Sequence, residues 1–374
     1  MHFSKLDQEF MQRALTLAAN GRFTTPPNPN VGAVVVKEGQ VVGEGYHRQA
    51  GGPHAEVFAL KQAGDLARGA TCYVTLEPCS HYGRTPPCAL ALISAGVRRV
   101  VVAMLDPNPL VAGKGIQLLQ DAGIVVETGL MQAEAVALNP GFLHKMQYHR
   151  PLVRLKLAAS VDGAIALANG QSKWITGSAA REDVQLQRAE CCAILSTAQT
   201  VLADDARLNV RSSAVTPLET GLQRQPLRVI LDRQGLLTGT ESLFQTGGDI
   251  LLVHQAGLQL PEISTKEVNV QRIELPVTDQ HRFDLDALLE LLATKSINIL
   301  WVEAGGHLAS QFWNQQLIDE LVLYQAPMLL GQQAHPMLQL PELSDISLAP
   351  RWQWLDVCKI GDDLRLIARI KGYK

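Results

Sequence analysis

Four side chains that together suit zinc-assisted hydrolysis occur in the first quarter of the chain. His54 and Glu56 stand two residues apart, Cys79 follows Pro78, and Cys88 comes later. One imidazole and two thiolates are donors that Zn²⁺ binds in tetrahedral geometry, and three protein ligands leave one position open for water, which the metal acidifies. The pattern predicts a catalytic zinc site at His54, Cys79 and Cys88, with Glu56 moving protons between water and substrate.

Two other interpretations of these residues stay open at this point. His and Cys are also found buried in cores without a metal. A structural zinc site needs a fourth protein ligand, and His81, between the two cysteines, is the available candidate. Glu56 argues against a structural site, because such a site needs no proton shuttle. We also expect Cys79 to stand at the start of a helix, whose positive end would keep its thiolate charged.

Short strands and helices alternate around these residues. Ala55–Ala63 is predicted to be a helix that begins beside His54. Thr71–Leu76 and Arg99–Leu105 are predicted strands, and Pro87–Ala95 is a predicted helix between them. The alternation predicts a layered α/β domain.

A change of pattern at Arg150-Pro151 marks a domain boundary. Helical periodicity over Gln132–Tyr148 ends there, and proline disfavours a helical residue before it. We therefore predict one domain over residues 1–149 and a second over residues 150–374.

The second half is again α/β. Leu152–Ala158 and Ile299–Val302 are predicted strands, and Ser178–Glu190 is a predicted helix with Ser178 as its N-cap. Gly305-Gly306 would bring backbone N–H groups to a phosphate at a helix start, although a plain strand-to-helix turn explains the pair equally well. No Gly-x-Gly-x-x-Gly sequence follows a first strand, so a Rossmann fold is not supported.

The composition excludes several classes of protein. Of 374 residues, 47% are hydrophobic and 18% are charged, which is typical of a well-buried globular chain of two domains. The formal net charge of -3, without a long basic run, does not indicate a nucleic-acid surface. No apolar segment is long enough for a bilayer, and no signal peptide is recognisable. Six cysteines form no disulfide framework in so long a chain, so we expect a cytoplasmic protein.

The cysteine spacing resembles a particular family. Eight residues separate Cys79 from Cys88, where the common deaminase motif has two. This long insertion resembles the bifunctional RibD type of bacterial riboflavin-biosynthesis deaminase. The other matching segments of the first half are Pro27–Gly32, Gly43–His47, Ala50–Glu56 and Asp106–Pro109.

The resemblance implies a cytidine-deaminase-like three-layer α/β/α domain that acts on a small phosphoribosyl diaminopyrimidinone. Oxygen would replace the ring 2-amino group, with release of ammonia. It implies substrate contacts from Asn28, His47, His81 and Arg84: an amide for a pyrimidine or ribose edge, and imidazoles and a guanidinium for sugar and phosphate. From the residues alone, Asn28 is equally a turn residue between prolines, and Arg84 a solvated charge.

The second half resembles the C-terminal reductase domain of the same family, which is similar to dihydrofolate reductase and binds NADPH. Its matching segments are Leu155–Gly163, Ser172–Thr176, Thr200–Asp205, Val302–Gly306 and Asp319–Leu321. The implied reaction is hydride transfer that opens the ribosyl group to a ribityl chain, with the cofactor supplying the reducing chemistry. A homodimer through this domain is also implied.

The resemblance assigns two sets of residues to the reductase half. Substrate contacts are implied for Ser172, Arg188, Leu208, Arg211 and Glu303. NADPH contacts are implied for Ala158, Trp174, Thr200, Asp204, Gly305, Gly306, His307, Leu308, Ala309, Ser310 and Gln311. From the residues alone, Trp174 is equally a core residue and Arg188 an exposed helix charge.

Two positions depart from the family pattern. Ala206 stands where proline is usual, and Arg233 stands where a small serine is common beside the cofactor. Arg233 is therefore included among the NADPH contacts: its charge suits the 2′-phosphate, although its bulk would equally crowd the site.

Three alternatives to a bifunctional riboflavin-biosynthesis enzyme follow from these residues. The first is a deaminase of free cytidine, of tRNA adenosine or of another nucleotide base, with a silent reductase-like domain. The second is a zinc-stapled binding module without catalysis. The third is a second domain that only assists dimerisation. Ammonia release and NADPH oxidation discriminate among them.

Overall fold

The computed structural model describes residues 3–82, 86–108, 112–263, 265, 267–278 and 281–370. The chain folds into two compact units. Unit 1 comprises Met1–His149 with Pro217–Thr220, and unit 2 comprises Arg150–Thr216 with Gly221–Lys374. The helices and strands fall within one unit or the other, so the chemistry of each unit is positioned by its own sheet.

A five-stranded sheet of order β2-β1-β3-β4-β5 forms the middle layer of unit 1. β1 is antiparallel to β2 and β3, whereas β3, β4 and β5 run parallel. The strands are β1 (Gly32–Lys37), β2 (Gln40–Tyr46), β3 (Thr71–Val74), β4 (Arg99–Val102) and β5 (Val125–Thr128).

Helices cover both faces of this sheet. Val100 and Val102 of β4 pack into one core with α2, α3 and α4, whereas Val101 faces the other core with α1 and α5. This alternation is the period of two expected of a strand buried on both faces. The helices are α1 (Lys5–Ala19), α2 (Ala55–Ala63), α3 (Cys88–Ser94), α4 (Lys114–Asp121), α5 (Gln132–Leu138) and α6 (Pro140–Tyr148). The expected three-layer α/β/α arrangement is therefore confirmed.

Two glycines of β2 let helix α2 lie directly on the sheet. A Cβ atom added at Gly43 would stand 2.1 Å from the Ala59 carbonyl oxygen, and one at Gly45 would stand 2.4 Å from Cβ of Phe58. Backbone and helix can approach this closely only where no side chain intervenes. The contact fixes the first turn of α2, where His54 and Glu56 lie.

Unit 2 is built on a nine-stranded sheet of order β11-β10-β9-β8-β12-β6-β13-β16-β15. All neighbours pair in parallel except β13 with β16 and β16 with β15. The strands are β6 (Leu152–Ser160), β7 (Ala164–Ala166), β8 (Ala193–Thr197), β9 (Leu227–Leu231), β10 (Ile250–His254), β11 (Val270–Glu274), β12 (Ile299–Glu303), β13 (Glu320–Ala326), β14 (His335–Pro336), β15 (Trp352–Ile360) and β16 (Asp363–Ile370). β7 and β14 form a separate two-stranded sheet.

Two hydrophobic cores lie on opposite faces of the large sheet. One face holds α9 and α10 through Leu288, Leu292 and Phe312, and the other holds α7 and α8 through Val184 and Val201. The helices are α7 (Ser178–Glu190), α8 (Ala198–Asp204), α9 (Leu285–Thr294) and α10 (Gly306–Asn314). Parallel strands covered on both faces by helices confirm the α/β prediction for this half.

The N-cap prediction for α7 is wrong by one residue. Gly177, with extended backbone, is the N-cap, and its N–H donates to the Asp363 carboxylate over 2.7 Å. The partner lies on β16, at the far end of the chain sequence, so local spacing carries no sign of it.

Candidate active sites

The three predicted zinc ligands meet in unit 1, at the ends of its elements. His54 is the N-cap of α2, Cys88 is the first residue of α3, and Cys79 lies in the loop that follows β3. Their ligand atoms all lie within 4.8 Å of one another. In the described part of the chain no fourth His, Cys, Asp or Glu completes this cluster. His81 is exposed and stands outside it, which disfavours a closed structural site.

The spacing of the donor atoms fits a tetrahedral metal ion. Nδ1 of His54 is 3.3 Å from Sγ of Cys88 and 3.6 Å from Sγ of Cys79. Tetrahedral Zn²⁺ with ordinary Zn–N and Zn–S bonds separates nitrogen and sulfur by about 3.6 Å. The donor set and its geometry therefore suit zinc held through Nδ1 of the imidazole.

The expectation that Cys79 begins a helix is wrong. Helix α3 begins only after Pro87, because proline disfavours helical backbone in the residue before it. The helix start still reaches Cys79, since the Cys88 N–H donates to its sulfur over 3.3 Å. Hydrogen bonds with the Cys88 thiol and His54 lower the pKa of Cys79, so Cys79 is the member of this thiol pair that carries the thiolate charge.

Glu56 is placed for proton transfer. Its side chain is 3% exposed, and burial raises its pKa. Within the described residues, Oε2 is buried without a hydrogen-bond partner. A polar atom left in this way costs free energy unless a ligand satisfies it. The unpartnered oxygen lies in the first turn of α2 beside His54, as the proton-shuttle prediction requires.

Glu77 positions the Cys79 loop, and the sequence interpretation missed it. Its carboxylate accepts hydrogen bonds from the N–H groups of Gly113 and Gly115, each over 3.0 Å, and of Asp106 over 3.2 Å. Gly113 and Gly115 lie at the start of α4, so Glu77 ties that helix to the loop that holds Cys79. Its position two residues before the zinc ligand Cys79 was the sequence feature that could have indicated this role.

Of the substrate residues predicted in unit 1, the structure places some near the zinc ligands and others not. Nδ2 of Asn28 lies 3.0 Å from Nε2 of His47, whose ring stands edge-on to that of His54 with centroids 5.5 Å apart. His47 therefore adjoins the ligand His54, and Asn28 adjoins His47. His81 is exposed in the loop between the cysteines. Arg84 lies outside the described residues.

Arg188 and Glu303 form a buried ion pair in unit 2. Nε and Nη2 of Arg188 donate to the two carboxylate oxygens over 2.5 and 2.8 Å, and Trp301 Nε1 donates to the same carboxylate over 2.6 Å. Burial would raise the pKa of Glu303, but the Arg188 charge and these hydrogen bonds lower it to about 2. Arg188 is 8% exposed, so the interpretation of it as an exposed helix charge is wrong.

The other predicted substrate residues of unit 2 differ in exposure. Arg211 is exposed, and its Nη1 donates to Oδ1 of Asn209 over 3.2 Å. Ser172 is half-buried. The Leu208 side chain is buried in the core beneath α7, which leaves its backbone for any ligand contact.

A cavity of about 400 Å³ lies at the carboxyl ends of β8 and β9 and the start of α10. It brings together five of the predicted NADPH residues: Arg233, His307, Leu308, Ser310 and Gln311. His281 and Arg282 also line it, and the sequence interpretation missed both because they fall in a stretch without clear periodicity.

The remaining predicted NADPH residues do not line this cavity. Trp174 is 67% exposed with the Arg181 guanidinium 4.5 Å from its ring centroid, so the core-packing interpretation is wrong. Thr200 and Asp204 lie on α8, and Ala158 is half-buried on β6. Gly305 and Gly306 begin α10, and the buried side chain of Ala309 packs into the core.

Comparison with known families matches the two halves of the chain to two enzyme domains. Residues 4–104 match the family described as the cytidine and deoxycytidylate deaminase zinc-binding region. Residues 151–366 match the RibD C-terminal domain. With the cluster of His54, Cys79 and Cys88, these matches define the class of protein: a zinc-dependent deaminase joined to a reductase.

Relatives match along the whole chain. The riboflavin biosynthesis protein RibD of Haemophilus influenzae is 49% identical over 380 residues, which cover 100% of both chains. That of Escherichia coli is 48% identical over 367 residues, which cover 96% of this chain and 98% of the relative. The chain therefore belongs to the RibD family. It is a bifunctional riboflavin-biosynthesis enzyme, a hydrolase and an oxidoreductase, with Zn²⁺ and NADPH as cofactors.

Solved structures agree with this assignment. Form 1 of Acinetobacter baumannii RibD superposes with a TM-score of 0.88 at 47% identity, covering 98% of this chain and 99% of that one. The predicted fold class is confirmed. No helix in the described part of the chain has the length and apolar character needed to span a membrane.

Proposed function

We propose that the chain first deaminates 2,5-diamino-6-(5-phosphoribosylamino)pyrimidin-4(3H)-one and then reduces the ribosyl group of the product to ribityl. A Thermotoga maritima structure described as a diaminohydroxyphosphoribosylaminopyrimidine deaminase/5-amino-6-(5-phosphoribosylamino)uracil reductase supports the two substrates. It is 33% identical, with a TM-score of 0.83, and the match covers 98% of this chain and 99% of that one. The observation that carries the proposal is the buried Glu56 oxygen, which has no hydrogen-bond partner among the described residues, beside three donor atoms within 4.8 Å of one another.

The deaminase half is residues 1–149 in this proposal. His54, Cys79 and Cys88 would hold Zn²⁺, which would supply the Lewis acid that makes water nucleophilic. Glu56 accepts a proton from that water and delivers it to the pyrimidine ring nitrogen. Glu56 then takes the remaining proton from the hydroxyl group now on the ring carbon and transfers it to the departing amino group, so that ammonia leaves and the ring carbon keeps the oxygen as a carbonyl. Asn28, His81 and Arg84 bind the substrate.

The reductase half is residues 150–374. NADPH supplies the hydride. The turn and helix start at Gly305–Gln311 line the cofactor, with the N–H groups of the first helical turn facing its phosphates, and the cavity at that helix accommodates it. Arg233 pairs with the 2′-phosphate. Further cofactor contacts come from Ala158, Trp174, Thr200 and Asp204.

The paired charges of Arg188 and Glu303 orient the reductase substrate. Because Arg188 keeps Glu303 ionised, the carboxylate offers acceptors to sugar hydroxyls throughout the neutral pH range. Ser172, Arg211 and the backbone of Leu208 complete this contact set.

Two assays with purified, zinc-loaded protein test the proposal. Ammonia release is measured with the phosphoribosyl pyrimidine and with cytidine, and NADPH oxidation is measured with the deaminated intermediate. We expect ammonia from the phosphoribosyl compound alone and oxidation with the intermediate alone. Turnover of cytidine, or NADPH oxidation that does not depend on the intermediate, would contradict the assignment.

We further propose that the chain works in the cytoplasm. All six cysteines are free thiols, and two of them must stay reduced to hold zinc. A reducing compartment meets that requirement. Cell fractionation checks this placement, and recovery of the protein outside the cytoplasm would contradict it.

We also propose a homodimer formed through unit 2. β15 is an edge strand, and Trp354, Leu355 and Val357 on it are exposed, with Trp354 at 55%. An exposed apolar edge strand is typical of a surface that pairs with another chain. Light scattering on the eluting protein should give twice the chain mass, and Val357→Lys should give a monomer. A monomeric parent protein would contradict the proposal.

A further inference from the structure

His47 is a buried residue with both ring nitrogens engaged by the protein. It follows β2 directly and is 3% exposed. Nδ1 lies 3.0 Å from the Pro53 carbonyl oxygen, and Nε2 lies 3.0 Å from Nδ2 of Asn28. The ring therefore has no free polar atom for a substrate in this arrangement.

These two contacts define the tautomer of the ring. A carbonyl oxygen only accepts hydrogen bonds, so Nδ1 must carry the hydrogen that points to Pro53. In the neutral ring, Nε2 then presents a lone pair and accepts. The group that faces it must be a donor.

The tautomer in turn fixes the Asn28 amide. Its NH₂ group must face Nε2 of His47, because the amide oxygen would oppose the ring lone pair. The Asn28 backbone is held as well, since its N–H donates to the Thr25 carbonyl over 2.7 Å. In the described part of the chain no other hydrogen bond to the Asn28 side chain occurs, so Oδ1 and the second N–H remain available.

The same hydrogen-bond chain is tied to the metal site. Pro53 immediately precedes His54, and the rings of His47 and His54 stand edge-on. One short backbone segment therefore places a zinc ligand and anchors the ring that orients Asn28. The available amide oxygen is thereby held at a defined place relative to the zinc ligand His54.

We infer that His47 is a positioning residue that holds the Asn28 carboxamide with its oxygen free to accept a hydrogen bond from an N–H or amino group of the pyrimidine. This inference rests on the proposed deaminase function. It replaces the expectation that His47 contacts the substrate itself, because both of its nitrogens are already engaged.

Two substitutions of His47 separate positioning from direct contact. His47→Gln keeps an acceptor near the position of Nε2, whereas His47→Asn keeps a polar atom only near that of Nδ1. For ammonia release from the phosphoribosyl pyrimidine, we expect His47→Gln to keep KM within about threefold. We expect His47→Asn to raise KM about tenfold with kcat nearly unchanged, the loss typical of one hydrogen bond. Zinc content and melting temperature confirm that both variants are folded and loaded.

Combining His47→Asn with Asn28→Ala measures the coupling directly. If His47 acts through Asn28, the double variant has about the KM of Asn28→Ala alone. If His47 touches the substrate, the two losses multiply, to about a hundredfold. That result, or a His47→Gln variant as impaired as His47→Asn, would overturn the inference.

Asn28→Asp provides a test that leaves His47 intact. Aspartate keeps Oδ1 but places a second oxygen where the amide donor to Nε2 stood, so KM should again rise about tenfold. An unchanged KM would mean that His47 does not orient this residue. If the parent protein releases no ammonia from the pyrimidine, the proposed function fails instead, and these comparisons report nothing about positioning.

Discussion

At the scale of single residues, the two catalytic units use buried charge in different ways. Glu56 is buried with one oxygen unpartnered among the described residues, whereas both oxygens of Glu303 accept hydrogen bonds from Arg188, and one also accepts from Trp301. An unpaired buried carboxyl group is set up to exchange protons, and a paired one is set up to stay ionised. The consequences for activity and stability therefore differ.

Glu56→Gln should abolish deamination without loss of the metal. The amide keeps the shape of the side chain but cannot carry protons, so ammonia release should fall about 10³-fold. Zinc content should stay at the parent level, because the three ligands are unchanged. The reductase rate with the deaminated intermediate is the control. Undiminished deamination would refute the shuttle role.

Glu303→Gln should destabilise the protein in a pH-dependent way. The pKa of Glu303 is lowered from 4.5 to about 2, so the ion pair stabilises the fold above the unfolded value of 4.5 and loses that effect as pH falls toward 2. The shift corresponds to roughly 3 kcal/mol. Denaturant unfolding should show this difference at pH 7 and a shrinking one between pH 4.5 and 2. Glu342→Gln, at an exposed position, should show neither. A pH-independent difference would contradict the ion-pair account.

Arg233→Ala should weaken binding of NADPH but not of NADH. Asp232, the one carboxylate among the cavity residues that the structure describes, already accepts hydrogen bonds from the N–H groups of Leu236 and Leu237. The cavity therefore offers Arg233 and Arg282 to an anion. We expect KM for NADPH to rise about tenfold, the effect of one charged hydrogen bond. Arg272→Ala, outside the cavity lining, is the control; equal losses with both coenzymes would exclude 2′-phosphate recognition.

At the scale of elements, the zinc site depends on how α4 meets the loop after β3. A Cβ atom added at Gly115 would stand 2.0 Å from the Pro78 carbonyl oxygen, next to Cys79. The Glu77 carboxylate holds the same helix start through backbone N–H groups. The ligand loop and the helix therefore cannot move independently.

Gly115→Ala should lower zinc affinity at least tenfold. The backbone oxygen of Pro78 must move to admit the methyl group, and the Cys79 thiolate moves with it. Competition with a chromogenic chelator measures the change. Gly247→Ala, where a Cβ would meet no atom of the described residues within 4 Å, is the matched control. Equal affinity in both variants would show that the loop accommodates the methyl group.

How well the sequence predicts an element depends on where its determinants lie. The helix Ser178–Glu190 has the predicted bounds because its apolar face is local, but its N-cap depends on Asp363, 186 positions away. The zinc cluster was predictable because residue type and order define the chemistry. The conformation of the Cys79 loop, by contrast, depends on hydrogen bonds that Glu77 accepts from residues distant in sequence, such as Gly113. Arg282 likewise reaches the cavity only through the tertiary fold.

At the scale of the whole molecule, the two chemistries rest on separate units. All three zinc ligands belong to unit 1, whereas the cavity and the pair of Arg188 with Glu303 belong to unit 2. Each unit has its own sheet and its own pair of hydrophobic cores. Loss of the metal should therefore affect one activity selectively.

A strong chelator should remove deamination and leave NADPH oxidation intact. Because a bound ion stabilises only the state that holds it, the melting transition of unit 1 should shift downward while that of unit 2 stays in place. Calorimetry and the two rate assays measure this. Added Zn²⁺ should restore ammonia release. Parallel loss of both activities would contradict independent units.

The bare backbone at Gly43 and Gly45 has a consequence for mutational tolerance. The hairpin formed by β1 and β2 contains none of the zinc ligands. A methyl group added at Gly43 or Gly45 would nevertheless collide with α2 and displace it. This displacement would move the first turn of α2, which carries the His54 imidazole and the Glu56 carboxyl group. Random mutagenesis should therefore find variants without deaminase activity in this hairpin, although it is distant in sequence from the zinc ligands Cys79 and Cys88.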